Sequence, residues 1–140
     1  MLYHFDFDSK YKILRCRFDG GVTDEDLKDF YRLAAEFVER TDPRGAIIDF
    51  SAVTSFEVSP ETIRELAKTT PVMQDPDRLR CIIAPSAQVF GMARMFELEG
   101  ESTRPNLHVV RTQEQALALL GVQEPQFEPV RSNTTPKSST

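Results

Sequence analysis

The stretch between Asp49 and Glu61 holds most of the residues that could do chemistry. It combines carboxylates with hydroxyl groups, namely Asp49, Ser51, Glu57, Ser59 and Glu61. Glu57 and Glu61 are suitable types for a general acid and base, but no histidine, lysine or activated nucleophile accompanies them at a recognisable spacing. The sequence therefore predicts a protein that is not an enzyme, with no catalytic residues in this stretch.

Ser59 has two interpretations, as a helix cap and as a phosphorylation site. Ser59 followed by Pro60 is a strong signal for a helix start, and such a cap contributes about 1 kcal/mol relative to alanine. A phosphate there would add a charge of about −1.5 to −2 where the helix dipole favours it. Glu57 and Glu61 would oppose that charge. The sequence favours the cap and leaves the phosphosite open.

Asp49 is predicted to end a buried strand and to support the segment that follows it. A short apolar run, residues 46–48, precedes Asp49, and a polar connection over residues 50–58 leads to the helix start. Hydrogen bonds from that connection to the Asp49 carboxylate are favoured over a catalytic role. Strand ends and helix N-termini meet at such places in α/β proteins. The surface over residues 51–61, including Phe56, is therefore the predicted contact for a protein partner.

A second group of candidate residues lies on a predicted helix over residues 86–98. Its apolar stripe is wider than one sheet face requires and contains Phe90, Met92, Met95 and Phe96. Thioether side chains adapt to varied apolar partners. Arg94 stands beside them and could hold an anionic head group. This helix gives the alternative function, binding of a small apolar (lipid-like) molecule or of a membrane surface.

These residues are positioned by an alternation of strands and helices. Residues 2–7 and 11–18 read as a β-hairpin that ends at residues 19–21, with Arg15 and Arg17 available to solvent. Helices are predicted after the caps Thr23, Ser59, Ser86 and Thr112, and buried strands over residues 46–49, 79–84 and 107–110. The fold class is α/β, with a mixed sheet of about five strands that is parallel in its second half, and about four helices.

Composition limits the partners and the domain count. The 140 residues suggest one domain over residues 1–122, followed by a Pro/Ser/Thr-rich tail over residues 123–140 that is expected to be disordered. The net charge of −5 argues against nucleic acid as a partner. Cys16 and Cys81 read as small buried hydrophobes, no metal or cofactor site is predicted, and the expected location is the cytoplasm, since neither a signal peptide nor a membrane span is visible. Whether the chain forms a homodimer is left open.

The stretch Asp49-Phe50-Ser51-Ala52-Val53 resembles a motif of the STAS domain, the fold of anti-sigma-factor antagonists. In those bacterial regulators a strand ends in Asp-Leu-Ser-x-Val, and Phe-x-Asp-Ser and a helix follow. Phe56 and Ser59 match the second part, and Ser59 falls where the family carries its phosphorylated serine. Val58 stands where the family has aspartate, and Pro60 and Glu61 stand where it has a small residue and glycine.

The segments Gly91-Met92-Ala93-Arg94-Met95-Phe96 and Glu114-Gln115-Ala116-Leu117 look like the SpoIIAA-like branch of the same superfamily. The resemblance covers roughly residues 2–120. It implies the STAS fold and a regulatory module that presents its strand end and helix start to a protein partner.

Overall fold

The computed structural model describes residues 3–130, which form an α/β fold around one mixed sheet. The strands of this region are β1 Tyr3–Asp8, β2 Ile13–Thr23, β3 Gly45–Glu57, β4 Leu79–Ile83, β5 Leu107–Val110 and β6 Glu128–Pro129. Its helices are α1 Asp24–Thr41, α2 Pro60–Lys68, α3 Ala87–Glu99 and α4 Gln113–Leu120. The fold class and the four helices predicted from the sequence are confirmed.

The sheet order is β5-β4-β3-β2-β1-β6. β1 and β2 form the predicted antiparallel hairpin, with Tyr3 opposite Phe18 and Asp8 opposite Ile13. β2, β3, β4 and β5 are parallel to one another, and α1, α2 and α3 connect them in turn. The parallel second half of the sheet is therefore confirmed, because each crossover between parallel strands contains a helix.

All four predicted helix caps are present. The side chains of Thr23, Ser59, Ser86 and Thr112 each accept a hydrogen bond from a backbone N–H in the first turn of their helix. Thr23 and Thr112 form full capping boxes with Asp26 and Gln115. These contacts satisfy backbone donors that a helix start would otherwise leave unpaired.

Apolar side chains fill both faces of the sheet. The larger core joins α1, α2 and α3 to one face through residues such as Phe18, Phe37 and Ile82. The smaller core packs α4 and Val122 on the opposite face, against Ile47 and Ile83. The two faces alternate along each strand, which explains why the central strands read as continuous apolar runs.

β2 and β3 are longer than predicted. The hairpin does not end at residues 19–21, and residues 50–57 are strand and not a loop, since Asp19–Thr23 pairs in parallel with Ala52–Glu57. This pairing places Val22 (0% exposed) and Phe56 (5%) in the core. Two register shifts and a positive φ of 84° at Gly20 accommodate the polar sequence. The expectation of a loop was wrong because the pairing, and not the local composition, decides this segment.

The fold continues past residue 122. Backbone N–H groups of Gln126 and Val130 donate to Asp8 Oδ2 (2.7 Å) and to the Phe5 carbonyl (2.9 Å). The Arg15 guanidinium lies 3.8 Å from the centre of the Phe127 ring. The predicted tail is thus wrong for residues 123–130, which find hydrogen bonds at the β1 edge, while residues 131–140 lie outside the described part. Arg15 is also not available to solvent, since only 11% of its side chain is exposed.

Both cysteines are buried and carry free thiols, as predicted. Burial raises the pKa of the Cys16 thiol well above its usual value and that of Cys81 to about 11. Neither thiol is therefore a thiolate near neutral pH. Within residues 3–130, no cluster of histidine, cysteine or acidic side chains is arranged to hold a metal ion, and no helix has the length and apolar character to cross a membrane.

Candidate functional site

The second half of β3, residues 50–57, has one side that pairs with no described strand. β3 pairs with β4 only as far as Asp49, opposite Ile83, whereas β3 itself continues to Glu57. Along residues 50–57 its partner is β2 on one side, and no described strand pairs with the other side. We call residues 50–55 on that free side the β3 edge. Near its end, Gln88 of α3 donates to the Phe56 carbonyl at 2.9 Å.

Small polar side chains surround the β3 edge. Three of them are exposed, Ser51, Thr54 and Ser55, and so is the small apolar side chain of Ala52. Thr54 has no counterpart in β2, because the register moves from Val53 opposite Gly20 to Ser55 opposite Gly21. The edge is therefore sterically accessible, and its most irregular position is Thr54.

Asp49 supports the start of this segment, as predicted. Its Oδ1 accepts hydrogen bonds from the Ser51 backbone N–H (2.8 Å) and the Ser51 hydroxyl (2.5 Å), and the residue is 7% exposed. A polar depression of about 300 Å³ opens beside it, lined in part by His4, Arg17 and Asp19. Sequence patterns did not group these three with Asp49, since they come from other strands.

Ser59 joins the starts of two helices. Its side chain accepts the Thr62 N–H at 3.2 Å, which makes it the cap of α2. Its own N–H donates to Asp24 Oδ1 at 2.8 Å, and its hydroxyl lies 3.2 Å from Asp24 Oδ2. Asp24 is the first residue of α1, so this contact ties the N-termini of α1 and α2 together. The sequence offered no signal for it, because Asp24 also fits the acidic first turn of its own helix.

The Asp24 carboxylate sets the charge next to Ser59. The Ser59 N–H and, with smaller effects, the Thr62 and Ser59 hydroxyls lower the pKa of the Asp24 carboxyl below its ordinary value of 3.8. The hydroxyl that a kinase would modify therefore faces an ionised carboxylate at neutral pH. A phosphate at Ser59 would repel Asp24, in addition to the repulsion by Glu57 and Glu61 predicted from the sequence.

The lowered pKa of Asp24 predicts how acid affects stability. Because the folded-state pKa lies below the unfolded value, this contact stabilises the fold above pH 4 and is lost as the pH falls through the folded-state pKa. We expect Asp24→Asn to lower the free energy of unfolding at pH 7 and to make its decrease between pH 5 and about 2 smaller. Urea denaturation across this pH range measures both. Glu25→Gln, an exposed neighbour, is the control; equal slopes for Asp24→Asn and the native chain would contradict the assignment.

The remaining residues predicted to contact a partner differ in their exposure to solvent. Phe56 is 5% exposed and packs edge-on against Phe50, with ring centres 5.7 Å apart. The prediction that it contacts a partner is therefore wrong, because β3 alternates and turns this ring into the core. Glu57 and Glu61 are both exposed, at the end of β3 and in the first turn of α2.

The phenylalanine and methionine residues predicted as a ligand site on α3 lie in different surroundings. Met92 and Phe96 line apolar space under the helix, and Met95 packs at the margin of the larger core. Phe90 instead contacts the Arg111 guanidinium, 4.1 Å from its ring centre. Arg94 is exposed and forms an ion pair with Glu97 one turn later. Helical spacing directs Arg94 to solvent and to Glu97, so the expectation that it holds an anionic head group stays a prediction.

Two buried arginines were not identified from the sequence. Arg80 is 8% exposed and Arg104 is 4% exposed, and both line apolar space between the sheet and the helices. Arg80 is the second residue of β4 and Arg104 lies in a loop, and arginine side chains are mostly exposed in proteins. Only the tertiary fold brings them together.

The chain matches no protein-family model, and no curated protein is similar enough to count as a relative. The likeness to STAS domains therefore stays a prediction that depends on the motif residues quoted above.

Proposed function

We propose that this chain is a non-enzymatic interaction module, of the STAS-like and SpoIIAA-like kind, that binds an extended segment of a protein partner at the β3 edge. The observation that supports it best is the length of β3, which continues to Glu57 after its pairing with β4 ends at Asp49. The proposed setting is the cytoplasm. A second copy of the chain is the alternative occupant of the same edge.

Strand addition follows from the backbone chemistry of the edge. Unpaired N–H and C=O groups on a strand edge bind another extended chain through main-chain hydrogen bonds. The exposed side chains here are small, so an added strand meets little steric resistance. Asp19 lies opposite Ala52, and Glu57 is exposed at the end of β3. These carboxylates favour a partner segment that carries basic residues.

Regulation would act at the adjoining helix start. Ser59 follows β3 after one residue and is held by Asp24, so a charge added there would weaken the contact between α1 and α2. The end of the β3 edge would move with it, and partner affinity would change. Incubation with candidate kinases, read by intact mass, tests this version; modification elsewhere, or none, would remove the switch while leaving the β3 edge as the binding surface.

Partner binding is expected to depend on the backbone at Thr54. Proline there removes an N–H and fixes φ, while the missing counterpart in β2 limits the damage to the sheet. With a photo-crosslinking residue at Ser55, we expect Thr54→Pro to reduce crosslinked partner at least ten-fold. Thr54→Ala keeps the N–H and is expected to crosslink like the native chain.

The same crosslinker at Glu39, an exposed residue of α1, is the positional control. Partner bands that are equally strong from positions 55 and 39 would contradict binding at the β3 edge. So would equal crosslinking by Thr54→Pro and Thr54→Ala, provided that circular dichroism shows both variants folded.

A further inference from the structure

Two adjoining apolar cavities lie between the sheet and the helices. The larger has a volume of about 90 Å³ and the smaller about 70 Å³. They share wall residues, namely Phe30, Tyr31, Ile48 and Phe96. Ala34 borders the larger cavity, and Met92 and Ala93 border the smaller one. We call this space the helix–sheet cavity.

Arg80 and Arg104 line the larger part of the helix–sheet cavity. Arg104 donates to the carbonyls of Ala67 (2.8 Å) and Thr69 (3.0 Å) and to the Tyr31 hydroxyl. Arg80 donates to the carbonyls of Arg78 (3.0 Å), Asp75 (3.2 Å) and Met73. Among residues 3–130, neither guanidinium forms an ion pair with a carboxylate.

Two buried positive charges without an anion are energetically unfavourable. Carbonyl groups supply hydrogen bonds but no net charge, and charges in a protein interior are normally paired. Burial, followed by the charge of Arg104, lowers the pKa of Arg80. The nearest acidic candidate, Asp75, directs its carboxylate to Arg78 at 3.4 Å. The C-terminal end of α2 accounts in part for Arg104, but Arg80 binds only loop carbonyls.

We propose that the helix–sheet cavity binds a monocarboxylate with an apolar chain of about six to eight carbons. Its carboxylate would lie between Arg80 and Arg104, and its chain would run past Phe96 and Ile48 toward Met92. The two cavities, of about 90 and 70 Å³, are together comparable in volume with an apolar cavity of about 150 Å³ that binds benzene in another protein. This combined volume sets the expected chain length. This proposal is independent of partner binding at the β3 edge.

The segment over residues 69–78 borders the helix–sheet cavity. It has neither helix nor strand, and its residues Pro71, Val72 and Met73 form part of the cavity wall. All three carbonyls that accept hydrogen bonds from Arg80 belong to this segment, at Met73, Asp75 and Arg78. A bound carboxylate would compete for the same N–H groups, so ligand binding is expected to change the hydrogen exchange of residues 69–78.

Octanoate, octan-1-ol and octylamine, added to the full-length chain, test the proposal. They share one chain length and differ in the head group. Isothermal titration calorimetry is expected to show octanoate binding at least ten-fold more tightly than octan-1-ol, and octylamine more weakly than both. Equal affinity for octanoate and octan-1-ol would overturn the assignment of the arginines, and no binding of octanoate would overturn the site.

Two variants locate the ligand. Ala34→Leu adds volume at the wall of the larger cavity and leaves both arginines in the sequence, and it is expected to weaken octanoate binding at least ten-fold. Arg80→Gln is expected to remove the preference for octanoate over octan-1-ol. Ala35→Leu, at an exposed neighbouring position of α1, is the matched control. If Arg80→Gln does not fold, Ala34→Leu still decides, because unchanged octanoate affinity in the folded Ala34→Leu variant would overturn the proposal.

Discussion

Replacing Asp6 by alanine is expected to lower the free energy of unfolding by about 3–5 kcal/mol, since it leaves the Arg15 charge buried without its partner. The Asp6 carboxylate accepts both Arg15 Nε (2.9 Å) and Arg15 Nη2 (2.8 Å). Their side chains are 7% and 11% exposed. Arg15 is further enclosed by Phe127 and by Gln113, whose Oε1 lies 3.0 Å from Nη1. Urea denaturation at neutral pH measures the loss.

A second substitution separates the charge from the packing. Asp6→Leu combined with Arg15→Met removes both charges and keeps most of the volume, so we expect it to recover most of the stability lost in Asp6→Ala. Asp29→Ala breaks the exposed pair with Arg32 and is expected to lose less than about 1 kcal/mol. A loss of that small size for Asp6→Ala would show that the Arg15 charge reaches solvent.

Phe18→Ala is expected to lower the free energy of unfolding by about 3–5 kcal/mol, the usual range for deleting a buried aromatic ring. Phe18 is 0% exposed. Its ring stacks on Phe50 with centres 4.9 Å apart and meets Phe30 and Tyr3 at 5.1 and 5.5 Å. Alanine would leave a cavity among these rings, because β1, β3 and α1 all hold them in place.

Phe18 also supports the start of the β3 edge, because its ring stacks on Phe50. Phe18 pairs with Tyr3, and beyond it β2 continues beside the second half of β3. We therefore expect hydrogen exchange of residues 50–57 to rise more in Phe18→Ala than exchange in α4. Leu98→Ala, at a residue 58% exposed, is the control and is expected to change stability by less than about 0.5 kcal/mol. Uniform acceleration across the described residues would contradict the local role of Phe18.

The elements that the sequence predicted well are those decided by neighbours in the chain. Thr23, Ser59, Ser86 and Thr112 cap helices through contacts three residues away, so their types and spacing carry the information. The buried strand over residues 79–84 likewise shows its burial in its own composition. Local chemistry was sufficient for the helices, the hairpin and the parallel order.

The errors fall where residues distant in sequence meet. The segment over residues 50–57 is polar, and it is a strand because it pairs with Asp19–Thr23 and turns Phe56 into the core. Residues 123–130 have the composition of a tail, but Asp8 and the β1 edge supply their hydrogen bonds. The composition of a segment shows how much apolar surface it can bury. It does not show whether a neighbouring strand or side chain is available to hydrogen-bond with the backbone of that segment.

The candidate sites show the same division. From the sequence alone came Asp49 as a hydrogen-bond acceptor for the residues that follow it and Ser59 as the cap of α2, since each depends on residues two or three positions away. The expectation that Asp49 ends its strand was wrong, because β3 continues to Glu57. Only the tertiary structure decided that Asp24 holds Ser59 and that β3 has a free edge. It also decided that Arg80 and Arg104, rather than Arg94, carry the positive charge beside apolar space. These features depend on how strands pair and where helices cross, which no local pattern of residue types specifies.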